Sequence, residues 1–139
     1  MDNNYQSLNH CKYLIQYHII WCPKFRFAVL SDDIETSLKD ILIKISQRYN
    51  FQIIEMEVMP DHIHLFISVK PTIAPVDIIR TLKSISAIKL FKKYPKLKQF
   101  YSKCGSLWSK GYFVSSVGQA SSETIKKYIE AQKKRMINI

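Results

Sequence analysis

The chain has 139 residues, 47% of them hydrophobic, and a formal charge of +10. That length supports one buried core without staples, and Cys11, Cys22 and Cys104 form no CxxC pair, which argues against a disulfide framework or zinc ribbon and fits a reduced, cytoplasmic compartment. No apolar run approaches the ~18 residues of a membrane span, and the opening MDNNYQSLNH is polar, so a soluble, unexported protein is expected.

Lys12–Cys22, KYLIQYHIIWC, is rich in β-branched and aromatic residues and is closed by Pro23, which predicts a first strand. Ser31 is placed to cap a helix in which Ile34, Leu38, Ile41, Leu42, Ile45 and Tyr49 recur at helical spacing. Phe51–Met59 alternates as a second strand. Pro60 and Asp61 then turn the chain back into a third, where Ile63, Leu65 and Ile67 alternate with His62 and His64. Pro75 opens a second helix with Asp77 in its first turn, buried along Ile78, Leu82 and Ile85 and stopped by Pro95. KLKQFYSKCGS lacks a clear period and reads as a basic, aromatic-bearing loop, and Gly111–Gly118 reads as a fourth strand. Ser121 or Ser122 can cap a last helix, about residues 121–136, running through ETIKKYIEAQKKR.

Strand, helix, strand, strand, helix, strand is the split βαβ order of a ferredoxin-like α+β sandwich, an antiparallel sheet with two helices on one face. One domain over residues 1–139 is expected, and the last helix is additional to it.

Strand alternation sends His62 and His64 out of the same face, mid-sheet. Two neutral imidazoles make a partial metal site that needs a third ligand, and no third histidine follows at a useful spacing. Tyr128 and Gln132, four residues apart, share a face of the last helix, so an amide oxygen could complete the site while a phenol points to the same place. A neutral ligand set of this kind leaves the full charge of Mg²⁺ or Mn²⁺ available to a phosphate oxygen. With Ile125 and Ile129 beside it, Tyr128 fits plain core packing better on spacing alone. His18, alternating within the first strand, reads as a satisfied sheet residue, and His10 lies in the polar leader.

Charge is uneven along the chain. Residues 1–69 carry 6 basic against 8 acidic side chains, and residues 70–139 carry 15 against 3. The basic half favours a polyanion, nucleic acid rather than membrane. Arg80, Lys83, Lys89, Lys92, Lys93, Lys96, Lys98 and Lys103 are the candidate phosphate contacts, with Phe100, Tyr101 or Trp108 available to stack on unpaired bases. A non-catalytic ferredoxin-like nucleic-acid-binding module shares the fold and charge, but its strands would carry an aromatic RNA-binding signature that is not apparent here.

HIIWCPKFRFAVL (18–30), MPDHIHLFI (59–67), TLKSISAIKLF (81–91), LWSKGYFVSSVG (107–118) and IKKYIEAQ (125–132), in this order, resemble the single-tyrosine HUH transposases, the single-strand DNA transposases of the smallest insertion sequences. The resemblance implies that His62 and His64 are the paired histidines, Tyr128 the nucleophile and Gln132 the third ligand of a divalent cation, Mg²⁺ or Mn²⁺. It implies cutting and rejoining of single-stranded DNA beside hairpins at element ends through a 5′-phosphotyrosine. It also implies a homodimer in which the tyrosine helix of one subunit completes the histidine site of the other. Gly118 and the small polar QASS after it supply a linker suited to that exchange. A replication-initiator-like or domesticated relative using the same residues is the neighbouring possibility.

Overall fold

The computed structural model describes residues 5–8, 10–116 and 129–131. Tyr128, Gln132 and most of the expected last helix lie outside the described residues, and so does the question of its exchange between subunits.

A four-stranded antiparallel sheet is built from β3 (Gln16–Trp21), β4 (Gln52–Met59), β5 (His62–Ser68) and β6 (Phe113–Ser116), in the order β4-β5-β3-β6. Two long helices, α1 (Asp32–Arg48) and α2 (Pro75–Lys93), connect β3 to β4 and β5 to β6. This is the expected α+β order, with the histidine strand β5 central. Two short strands form a separate hairpin, β1 (Gln6–Leu8) in the segment read as a polar leader and β2 (Cys11–Tyr13) at the start of the expected first strand. The expected first strand is accordingly broken: only Gln16–Trp21 joins the main sheet.

Period-2 alternation decides which face is which. Ile63, Leu65 and Ile67 of β5 and Ile19 and Trp21 of β3 are buried in the core with Leu38 and Leu42 of α1 and Ile79, Leu82 and Leu90 of α2. Each such side chain contributes roughly 1.5–3 kcal/mol on burial. Their sequence neighbours leave from the opposite face. There the register aligns Glu57, His64, Ile20 and Phe113 in one row across the sheet, and Glu55, Phe66, His18 and Ser115 in the next.

A β-bulge between Ile53 and Glu55 lies just beyond that second row. The extra residue, Ile54, reverses the parity of β4, so Ile53, Met56 and Val58 pair with the core residues Ile67, Leu65 and Ile63. Glu57 and Glu55 lie on the histidine face by plain alternation from the hairpin pair Met59 and His62, and the bulge returns Ile53 to the core face.

The helix ends differ from expectation in two details. Ser31 occupies the cap position of α1 without a side-chain capping bond, and Asp32, Asp33 and Glu35 supply the negative first turn. KLKQF is helical: Pro95 closes α2 and also opens α3 (Pro95–Phe100), because its fixed φ and missing N–H suit a first helical position.

Candidate active site

His62 and His64 stand side by side on the open face of β5, each half-buried. Their second nitrogens are held differently. His62 Nδ1 lies 2.9 Å from Asp61 Oδ1. With the ring neutral, Nδ1–H donates to that carboxylate and Nε2 keeps its lone pair, the tautomer a metal ligand needs. His64 Nε2 lies 3.1 Å from His18 Nδ1, and His18 in turn stacks on Phe66 with ring centroids 4.8 Å apart.

Burial, and then the neighbouring His18, push the His64 pKa below its ordinary value, while Glu57 opposes the shift. His64 is therefore a neutral imidazole at neutral pH. Burial raises the Asp61 carboxyl, but the hydrogen bond from His62 and the charge of Arg26 outweigh it and hold Asp61 below the usual carboxylate range. Asp61 stays ionised, as orienting an imidazole requires.

Asp61 is held from its other side. Arg26 Nε donates to Asp61 Oδ2 at 3.0 Å, and Arg26 Nη1 donates to the backbone carbonyl of Ile129, in the helical turn 129–131. The loop that aims this guanidinium is a 3-10 turn, Lys24–Arg26, in which Phe25 and Arg26 have φ of 60° and 52°. Those values turn the Arg26 side chain inward, to 8% exposure, and leave Phe25 and Phe27 outward.

Outward-facing Phe25, Phe27 and Phe100 form one exposed aromatic cluster at 43%, 45% and 57% exposure, with Phe27 5.7 Å from Phe25 and 5.3 Å from Phe100 between ring centroids. Lys24 Nζ sits 5.6 Å over the Phe25 ring. Of the expected stacking residues only Phe100 is open. Trp108 is buried and donates from Nε1 to Ser86 Oγ, and Tyr101 is buried with its hydroxyl on the Lys24 carbonyl, so both belong to the core.

Arg80, Lys89, Lys92, Lys93, Lys96, Lys98 and Lys103 are exposed along α2, α3 and the turn that follows. Lys83 is placed differently. Its ammonium donates to the carbonyls of Ser109, Lys110 and Gly111, bracing the segment before β6. A cleft of about 620 Å³ beside α2, lined by residues such as Arg80, Phe91, Trp108 and Lys110, includes no residue of the histidine strand.

Asp61, Arg26, Glu57 and His18 were absent from the sequence-derived site. Asp61 had a local signal, a carboxylate immediately before a histidine, but it read only as a turn residue. Arg26 and His18 reach their partners across 35 and 46 residues, distances at which sequence spacing carries no information.

Residues 11–132 match the family profile described as Transposase IS200 like. The chain belongs to the IS200-like transposases. It is 42% identical over 120 residues to the ISDra2 transposase TnpA of Deinococcus radiodurans, covering 86% of this chain and 85% of that one. It is 30% identical over 127 residues to the IS200 transposase of Salmonella typhimurium, covering 91% and 82%. Among solved structures, a protein of Deinococcus radiodurans R1 shares the fold with a TM-score of 0.84 at 35% identity, over 91% of this chain and 97% of that one. A REP-associated tyrosine transposase bound to a REP hairpin shares the fold at a TM-score of 0.52 and 16% identity, over 90% and 69%. Among the described residues, no helix of this IS200-like transposase is long and apolar enough to cross a membrane.

Proposed function

We propose that this IS200-like transposase cuts and rejoins single-stranded DNA beside hairpins, in the cytoplasm, through a transient 5′-phosphotyrosine on Tyr128. The observation that carries this reading is the histidine pair: two imidazoles on one open strand face, His62 oriented by an ionised carboxylate and His64 kept neutral. That donor set fits a divalent cation. Among the described residues no group of three or more His, Cys, Asp or Glu could hold a metal ion, and the third ligand is assigned to the Gln132 amide. Mg²⁺ or Mn²⁺ so held supplies charge stabilisation to a phosphate oxygen and to the departing 3′ oxygen.

In this reading the Tyr128 phenol oxygen attacks the scissile phosphorus in line, and the bond from phosphorus to the 3′ oxygen breaks. The phenolic proton passes to solvent, and the 3′ oxygen leaves as a hydroxyl after taking up a proton. A free phenol has a pKa of ~10, so the positive surroundings are needed to favour phenolate. Because the phosphodiester energy is kept in the tyrosine ester, a second 3′-hydroxyl can reverse the step and join new ends without ATP. Phosphates would be met by the exposed cations of α2 and α3, and unpaired bases by the cluster of Phe25, Phe27 and Phe100.

Incubation of a labelled hairpin-bearing single strand with Mn²⁺ tests the reading. The wild-type protein should form an adduct stable in detergent, and Tyr128→Phe should not. DNA retention without an adduct would indicate a binding module, and an adduct on Tyr128→Phe would remove the nucleophile assignment. We further propose a homodimer that exchanges the helix of residues 121–136. Mixed dimers of Tyr128→Phe and His64→Ala subunits should then regain cleavage, and confirmed mixed dimers that stay inert would contradict exchange.

A further inference from the structure

We propose that Arg26 is a positioning residue that ties the helix bearing the nucleophile to the metal-binding histidine, so that helix docking and imidazole orientation are one event. The inference rests on the assignment of Tyr128 and His62 above.

The path is short. The Ile129 carbonyl accepts from Arg26 Nη1, Arg26 Nε donates to Asp61 Oδ2, and Asp61 Oδ1 accepts from His62 Nδ1. Ile129 follows Tyr128 directly, so this guanidinium grips the backbone one residue from the proposed nucleophile. On a helix a slip of one residue moves a side chain by 1.5 Å along the axis and 100° around it, and misplacement on the order of 1 Å costs about 100-fold in rate.

Only arginine suits this position. Its planar fork presents Nε–H and Nη–H to two separate acceptors at once, whereas a lysine ammonium is one point charge on a flexible stem. The surrounding turn is built around it. Phe25 and Arg26 both occupy the left-handed region that bulky side chains seldom adopt, and that conformation sends the guanidinium inward between Asp61 and Ile129. If the helix is supplied by a second subunit, the same grip is made across the interface.

A merely structural ion pair would make a different prediction, loss of thermal stability alone. The test compares Arg26→Lys, which keeps the charge and loses the two-pronged reach, with Asp61→Asn, which leaves one oxygen for two donors. In the protein free of metal and DNA, amide hydrogen exchange over residues 125–135 should accelerate at least tenfold in Arg26→Lys and by a smaller factor in Asp61→Asn. Mn²⁺ affinity, by titration calorimetry, should weaken about tenfold in both, the usual scale for losing a group that orients a ligand. With Mn²⁺ saturating, single-turnover cleavage by Arg26→Lys should remain about 100-fold slow while strand affinity stays within threefold of wild type. Unchanged exchange in Arg26→Lys, or full recovery of its cleavage at saturating Mn²⁺, would overturn the proposal. Should wild type itself form no adduct, the Tyr128 assignment fails, and the exchange and Mn²⁺ measurements still decide what Arg26 does.

Discussion

His18 Nδ1 and His64 Nε2 face each other at 3.1 Å across adjacent antiparallel strands, with the His18 ring backed by Phe66. Partners of this kind fix the ring orientation of a ligand histidine, and losing one typically costs 10–100-fold in metal affinity. His18→Leu should therefore weaken Mn²⁺ binding about tenfold while leaving the fold intact. His18→Asn, whose amide can occupy the place of Nδ1, should restore most of it. Titration of Mn²⁺ into the three proteins checks both outcomes.

The same environment makes stability depend on pH. Burial and His18 hold the folded pKa of His64 below the ordinary histidine value of 6.5, with His62 acting the same way and Glu57 and Glu55 opposing. Between that depressed value and 6.5 the unfolded chain binds the proton and the folded chain does not. Stability is thus fully present above 6.5 and is lost as pH falls through the folded value. Urea unfolding at pH 7.5 and 5.5 should show a larger loss on acidification for wild type than for His64→Gln. Equal losses would show that His64 does not contribute.

Lys83 separates structure from DNA binding. Its three carbonyl acceptors lie between α2 and β6, and burial pushes its amine pKa down. Lys83→Met should leave those carbonyls to solvent and destabilise the fold by about 1 kcal/mol. Lys89→Met, at an exposed position, should leave the melting temperature unchanged and reduce the salt dependence of DNA binding. Paired thermal melts and salt titrations distinguish the two lysines.

Phe100 and Phe25 should matter for unpaired bases and little for the fold, since both are exposed. Phe100→Ala should weaken binding to a single strand by about 1–3 kcal/mol, the usual worth of one stacked base. An abasic position in the strand should produce a similar loss, and combining the two should add little. Fluorescence anisotropy over an abasic series measures this directly; additive losses would mean the ring touches no base.

The fold and the histidine pair were legible because both are written in local period. Ile63, Leu65 and Ile67 alternate with His62 and His64, so one rule assigns the core face and the open face together. What escaped depends on register or on one extra residue. The Ile54 bulge, which returns Ile53 to the core face opposite Ile67, leaves the sequence looking like ordinary alternation. Arg26 meets Asp61, and His18 meets His64, only once the strands have paired. Pro95 signals only a stop in the sequence, because a proline that ends one helix and begins another gives the same local pattern.

The central claim is tested most directly by mapping the covalent adduct. After reaction with a hairpin-bearing single strand and Mn²⁺, nuclease trimming, proteolysis and tandem mass spectrometry should find one modified residue, Tyr128, joined to a 5′-phosphate, with an equal amount of strand ending in a free 3′-hydroxyl. Attachment at another residue, linkage through a 3′-phosphate, or cleavage that leaves only free 5′-phosphate ends would contradict it.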